Sequence, residues 1–194
     1  VASRKVQIAR TTRETDIALT LDPDVGGEGM VRTGLPFFDH LLTSMAFHGR
    51  FMLEVDAKGD LDVDAHHLVE DVGLVLGQAL SAVLAKTGQV KRFAHALIPM
   101  DEALAQVVID VCGRPTLVWR VRLPQAWVGT FDLSLLREFF EGLVSQARVS
   151  LHVDARRGRN SHHIVEAAFK ALGKCVHEAY ASAEQHMSTK GQIG

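Results

Sequence analysis

The sequence predicts an α+β fold made of two similar halves, each a roughly four-stranded sheet covered on one face by helices. Three observations predict it. The pentapeptide HHLVE at 66–70 returns as HHIVE at 162–166. The surrounding text returns with it: when His40 is set opposite Glu138, LEVDAKG (53–59) falls opposite LHVDARR (151–157). Beyond the double histidines, VEDVGLVLGQAL (69–80) matches VEAAFKALGKCV (165–176). A match of about fifty residues per half is a duplicated unit. Finally, in each half several strand-like segments precede helix-like ones. The halves run 1–90 and 91–194 and form one compact duplicated domain.

Each element follows from its local pattern. Segments 5–11, 16–21 and 30–33 read as strands, with a turn at Gly26–Gly27. PFFDHLLTSMAFH (36–48) reads as a helix that starts on Pro36 at N1 and stops at Gly49. FMLEVDA (51–57) alternates as a strand does. Asp64 or Ala65 then opens an amphipathic helix over 66–86, ended by Gly88. The second half repeats the order: strands at 94–98, 104–112 and 116–122, a helix over 133–147 opened by Asp132 or Ser134, and a strand over 149–155. RGR at 157–159 makes a turn, and Asn160 or Ser161 caps a helix over 162–185. The polar tail HMSTKGQIG reads as a frayed end.

Composition narrows the function. Of 194 residues, 47% are hydrophobic and 23% charged, the range of soluble globular proteins. A formal charge of −2 makes nucleic acid a poor partner. The apolar runs are short and interrupted, so no membrane span or signal peptide is expected. Cys112 and Cys175 sit in apolar text and read as reduced core residues of a cytoplasmic protein. The 10 histidines stand out, four of them in the two HH pairs.

Helix geometry gives those pairs a chemistry. Residues i and i+4 share a face, so His66 and Glu70 converge on one point, as do His162 and Glu166. His67 and His163 are rotated by about 100° and point to a different ion. Two facing helices then make two ligand sets. One is His40, His66, Glu70 and His163; the other is Glu138, His67, His162 and Glu166, the repeat supplying His40 and Glu138. Imidazole mixed with carboxylate suits Mn, Fe or Zn better than Ca or Mg. A single HHxxE is more often a polar helix start on a solvated surface. Two copies at mirrored positions favour metal. The zinc-protease motif HExxH is absent.

GLPFFDHLL, DAHHLVEDVGLVLGQAL, IPMDEA, EFFEGLV, GRNSHHIVEAAFKALG and the terminal STKG together resemble the imidazoleglycerol-phosphate dehydratases of histidine biosynthesis. The resemblance runs from RTTRETDI at 10–17 to STKG at 188–191. It implies dehydration of imidazole glycerol phosphate to imidazole acetol phosphate through a metal-bound imidazolate. It also implies two Mn ions per active site and an assembly of twenty-four subunits with active sites between them. Some members carry His where this chain has Glu138; that substitution adds negative charge to one site.

The resemblance also assigns roles. Glu14 matches an acidic residue near the substrate. Glu166 is both ligand and candidate proton carrier. Asp101, read as a buried carboxylate after an apolar strand, orients His48 or the substrate. Arg92, Arg114 and Lys190 match phosphate-binding positions, with Ser188 helping, and guanidinium forks suit phosphate oxygens. The STK tail is expected to order on ligand binding. Gln7, Arg156, Arg157 and Arg159 receive no role; His95, His177 and His186 belong to packing or surface, and His152 lies beside the site at most. Two other readings share the ligands. A dinuclear hydrolase needs no phosphate cations, and a metal scaffold needs no Glu14.

Overall fold

A computed structural model describes residues 3–27 and 29–184. The first half contains β1 (Val6–Thr11), β2 (Thr15–Asp22), β3 (Val31–Arg32), α1 (Pro36–Gly49), β4 (Met52–Gly59) and α2 (His66–Thr87). The second contains β5 (Phe93–Met100), β6 (Ala103–Asp110), β7 (Thr116–Arg120), the short β8 (Trp127–Val128) and β9 (Phe131–Asp132), α3 (Leu135–Ala147), β10 (Ser150–Arg157) and α4 (Ser161–Ala179).

The two sheets have one topology. The first is ordered β1-β2-β4-β3 and the second β5-β6-β10-β7. In each, the last strand pairs parallel with its neighbour and the other pairings are antiparallel. α2 lies on the first sheet and α4 on the second. The helices then meet across the middle, α1 against α4 and α2 against α3. The molecule is therefore layered sheet, helices, helices, sheet, and each half's helices pack on the other half's. Strand alternation buries Ile17, Leu19, Leu53 and Val55 in one half and Val107, Ile109, Leu151 and Val153 in the other. Between the helix layers, Phe38–Phe139, Phe139–Phe140, Phe139–Phe169 and Phe140–Phe169 each have ring centroids 5.4 Å apart. Tilted and offset aromatic contacts of this kind fix helix positions as well as burying area.

Glycines set how closely the helices cross. A Cβ on Gly173 of α4 would lie 2.0 Å from the Met45 carbonyl of α1. A Cβ on Gly77 of α2 would lie 2.4 Å from the Leu143 carbonyl of α3. Gly77 and Gly173 occupy the same place in the repeat, as do Leu143 and Met45. The two crossings are thus copies of one another.

Several boundaries differ from expectation. Gly49 does not stop α1: it is buried inside the crossing, and Arg50 caps the helix in the left-handed region at φ 54°. α4 ends at Ala179 rather than at 185, because the chain turns there to bridge Ser182 to Val90. α3 starts at Leu135, since 131–132 pair with 127–128 as a small ribbon. α2 is long and apolar enough to cross a membrane by length and composition, but most of it is buried between the first sheet and α3.

Candidate active site

The first turns of α1 and α4 bring together His40, His162 and Glu166. Asn160 opens α4 by accepting a hydrogen bond from the His162 N–H at 3.0 Å. This sets His162 and Glu166 one turn apart on the helix face that meets α1. His40 Nε2 and His162 Nε2 each lie 3.0 Å from the same oxygen, Glu166 Oε2. All three donor atoms fall within 4.8 Å of one another. A divalent transition ion about 2.1 Å from each donor spreads its donors roughly 3 to 4 Å apart, so the set fits one. Phe37 forms an apolar wall, its ring 5.0 Å from that of His162. Burial raises the Glu166 carboxyl, but hydrogen bonds from His40 and Lys170 outweigh burial and hold it down at about 2. Lys170 Nζ sits 2.9 Å from the other carboxylate oxygen.

The grouping differs from the expected ligand sets. His40 was matched with His66, Glu70 and His163, yet within one chain it faces His162 and Glu166. The crossed packing of the halves explains the exchange, because α1 meets α4 and not α2. By the same repeat Glu138 of α3 stands to Glu70 as His40 stands to Glu166. A Cβ on Gly142, one turn after Glu138, would lie 2.8 Å from the Glu70 carbonyl. His66 Nε2 lies 3.7 Å from Glu70 Oε2.

The second histidine of each pair turns toward carboxylates at the hairpin end of its own sheet. His67 Nδ1 lies 3.1 Å from Asp60 Oδ2 and 3.8 Å from Glu14 Oε2. The Asp60 hydrogen bond first, and the Glu14 charge after it, raise the His67 pKa. Glu14 is held at the β1–β2 turn. Thr12 Oγ1 accepts the Glu14 N–H, and Thr15 Oγ1 donates to the buried Asp71 of α2, which also pairs with Arg10 at 3.0 Å. His163 Nδ1 lies 2.8 Å from Glu102 Oε2. That bond, with the N–H groups of Arg159 and Asn160, holds the Glu102 carboxyl at about 2. Sequence reasoning passed over Asp60 and Glu102. Their signal was a carboxylate at the end of a strand or in a hairpin turn, which is normally a solvated residue.

The remaining assignments separate. Asp101 is not buried: its side chain is 76% exposed at the β5–β6 turn, with φ 47°, and it faces His163 at 3.7 Å rather than His48. An apolar strand ran into it, but the turn that ends the strand carries it outward. His48 lies near the end of α1, where burial and then the charges of Lys170 and Lys174 push its pKa down. A 380 Å³ cavity takes in His40, Thr43, Ser44 and His48. An adjoining 610 Å³ cavity takes in His48, Arg50, Lys174, Gly26 and Gly27. Arg92 lies between α2 and β5, in a fork to Asp110 at 2.6 and 3.2 Å with its guanidinium 4.5 Å above the Phe93 ring. Arg114 is exposed in the β6–β7 loop. Ser188 and Lys190 lie outside the described residues. Lys170, Lys174 and Arg50 are cations near the site that the sequence reading did not single out. Lys170 had a signal, one turn after Glu166.

Comparison with known proteins now decides the family. The imidazoleglycerol-phosphate dehydratase family model matches residues 33–176. The chain belongs to the imidazoleglycerol-phosphate dehydratase family. The Geobacter sulfurreducens imidazoleglycerol-phosphate dehydratase is 47% identical, over 98% of this chain and 100% of its own length. That of Acidithiobacillus ferrooxidans is 45% identical, over 98% of each. A crystal structure of the Pyrococcus furiosus enzyme superposes with a TM-score of 0.85 at 38% identity, covering 96% of this chain and 100% of that one. The Staphylococcus aureus enzyme gives 0.84 at 37%, covering 92% and 99%. The chain is thus a hydro-lyase of histidine biosynthesis.

Proposed function

We propose that the chain dehydrates D-erythro-imidazole glycerol phosphate to imidazole acetol phosphate and water with two Mn ions per active site. The observation that carries the metal part is the convergence of His40 Nε2, His162 Nε2 and Glu166 Oε2 within 4.8 Å. One ion is held by that set and the second by Glu138, His66 and Glu70. His67 and His163, held apart from these two clusters by Asp60 and Glu102, complete sites on neighbouring copies. When bound, the ions supply Lewis acidity at the imidazole nitrogens and favour loss of the ring proton. Glu166, its carboxyl held down by His40 and Lys170, serves as a ligand and is the second candidate proton carrier beside Glu14. Glu14, 55% exposed beside His67, moves the proton. His48, with its pKa pushed down, is the neutral partner in the cavity below His40.

The phosphate lies along the groove beside α1. His40 and His48 are eight residues apart on one helix, about 12 Å, which spans a ring, three carbons and a phosphate. Arg50 and Lys174 stand at the far end. Arg92 bonds through its N–H to the Ala179 carbonyl at the other end of α4, about 20 Å from Glu166 along the helix. It therefore reaches the substrate of another copy, together with Arg114 and the tail residues Ser188 and Lys190. Sites built this way support a self-assembly of twenty-four subunits, in the cytoplasm. The test is turnover by metal-stripped protein with and without Mn. Mn-dependent formation of imidazole acetol phosphate is the expected result. Mn uptake without turnover overturns the reading.

A further inference from the structure

His67 and His163 are held by carboxylates from different places, and the difference bears on Glu14. The strand registers define equivalent positions. Leu19 pairs with Val55 in the first sheet and Val107 with Val153 in the second. Ile8 pairs with Leu19, and Ala96 with Val107. Counting back from Leu19 and from Val107 by the same step reaches Glu14 and Glu102. Both sit at the tip of the first hairpin of their sheet. On the return strand the bulge between Ala155 and Arg157 shifts the count, so Asp60 stands opposite Glu14 and Arg159 stands opposite Glu102.

In the second half the hairpin-tip carboxylate is itself the anchor. Glu102 accepts from His163 Nδ1 at 2.8 Å with one oxygen. Its other oxygen accepts the N–H groups of Arg159 and Asn160 at 3.0 and 2.9 Å. Both oxygens are committed. The position opposite Glu102 holds Arg159, whose backbone N–H donates to Glu102, and not a carboxylate. In the first half that position is Asp60. It accepts from His67 Nδ1 with both oxygens at 3.2 and 3.1 Å. Its backbone N–H also donates to the Glu14 carbonyl at 3.1 Å. The hairpin-tip carboxylate, Glu14, is left 3.8 Å from His67 and 55% exposed.

We infer that Asp60 and Glu102 are the positioning carboxylates of His67 and His163, and that Asp60, by taking over His67, releases Glu14 for proton transfer. The inference rests on the Mn-dehydratase reading above. A metal-ligating histidine commonly donates its other ring N–H to a carboxylate, which fixes the tautomer. Held at Nδ1, both rings present Nε2 as the ligating atom. One histidine thus uses the hairpin carboxylate as its anchor, and the other uses a substitute so that the hairpin carboxylate stays free.

The division is tested by Glu14→Gln, Glu102→Gln and Asp60→Gly, with Asp60→Asn as the conservative control. Mn titration by calorimetry is read beside kcat, KM and thermal melting. Glu102→Gln is expected to weaken Mn uptake by about 10- to 100-fold. Glu14→Gln is expected to keep wild-type Mn uptake and lose kcat with KM little changed. Asp60→Gly is expected to weaken Mn and to lose kcat, and adding Glu14→Gln to it should cost kcat little more, because Glu14 is already drawn to His67. Asp60→Asn, which keeps an acceptor oxygen, should recover most of the Mn affinity. Glu14→Gln and Glu102→Gln behaving alike overturns the inference while leaving the dehydratase reading intact. Asp60→Gly with wild-type Mn uptake and kcat overturns it in the same way. A wild type that takes up no Mn takes down both.

Discussion

The two helix crossings share a backbone and differ in charge. At the α1–α4 crossing, His40 and His162 share one oxygen of Glu166 and Lys170 holds the other. At the α2–α3 crossing, the place of His40 is taken by Glu138 and the place of Lys170 by Leu74. One cluster therefore has a single carboxylate with a cation beside it. The other has two carboxylates and no such cation. Exposure follows charge: the Glu166 side chain is 8% exposed and that of Glu70 44%. A duplicated scaffold has kept its crossing geometry and let the ligand chemistry of the copies diverge.

The shared part is the backbone, and breaking it should cost most. Gly173→Val puts side-chain atoms where the Met45 carbonyl already sits, and Gly77→Val does the same at Leu143. Neither obstacle is a flexible side chain that can swing away. Each variant should lose about 4 kcal/mol or more of stability, read as a collapse of the melting transition. If only one variant unfolds, the crossings are not equivalent.

The divergent part is tested by removing one carboxylate from each cluster. Glu166→Gln should abolish uptake of one Mn ion and lower turnover by at least about 100-fold, roughly 2.7 kcal/mol. Glu70→Gln should remove the other ion. It should leave melting of the metal-free protein nearly unchanged, because Glu70 is more exposed and its contact to His66 is long. Loss of both ions in either variant would show that the clusters do not bind independently.

The sequence made the duplication and the ligand types legible, and the reason is geometric. A pentapeptide on a helix face fixes which side chains converge locally, so His162–Glu166 and His66–Glu70 could be read directly. Which distant residue joins each pair depends on helix packing across halves. The repeat marks His40 and Glu138 as equivalent but does not say which helix each one crosses. Gly173 and Gly77 carry that information, and a glycine inside a helix reads as a weak former until its neighbour is known. Asp101 misled for a related reason. The apolar strand before it suggested burial, while the turn placing it at φ 47° has no apolar signature. Asp60 and Glu102 carried only the weak signal of a carboxylate at a strand end or turn, since what they hold is set by strand register.

The smallest expected effect sharpens the comparison through pH. Glu166 is depressed from an ordinary 4.5 to about 2. A carboxyl lowered in the folded state lends stability that is fully present above the unfolded value and is lost as pH falls through the folded one. Metal-free protein should therefore lose stability between pH 4.5 and about 2, by up to about 3 kcal/mol from this group. Glu166→Gln should flatten that part of the melting curve. Lys170→Leu copies the residue at the equivalent place in α2. It should remove a smaller share, about 1 kcal/mol, because His40 remains on the other oxygen. The residual slope in Lys170→Leu then measures the two histidines on the other oxygen, His40 and His162. A slope equal to the wild type's would mean that the lysine is a spectator to the carboxylate and that the two clusters differ only at His40 and Glu138.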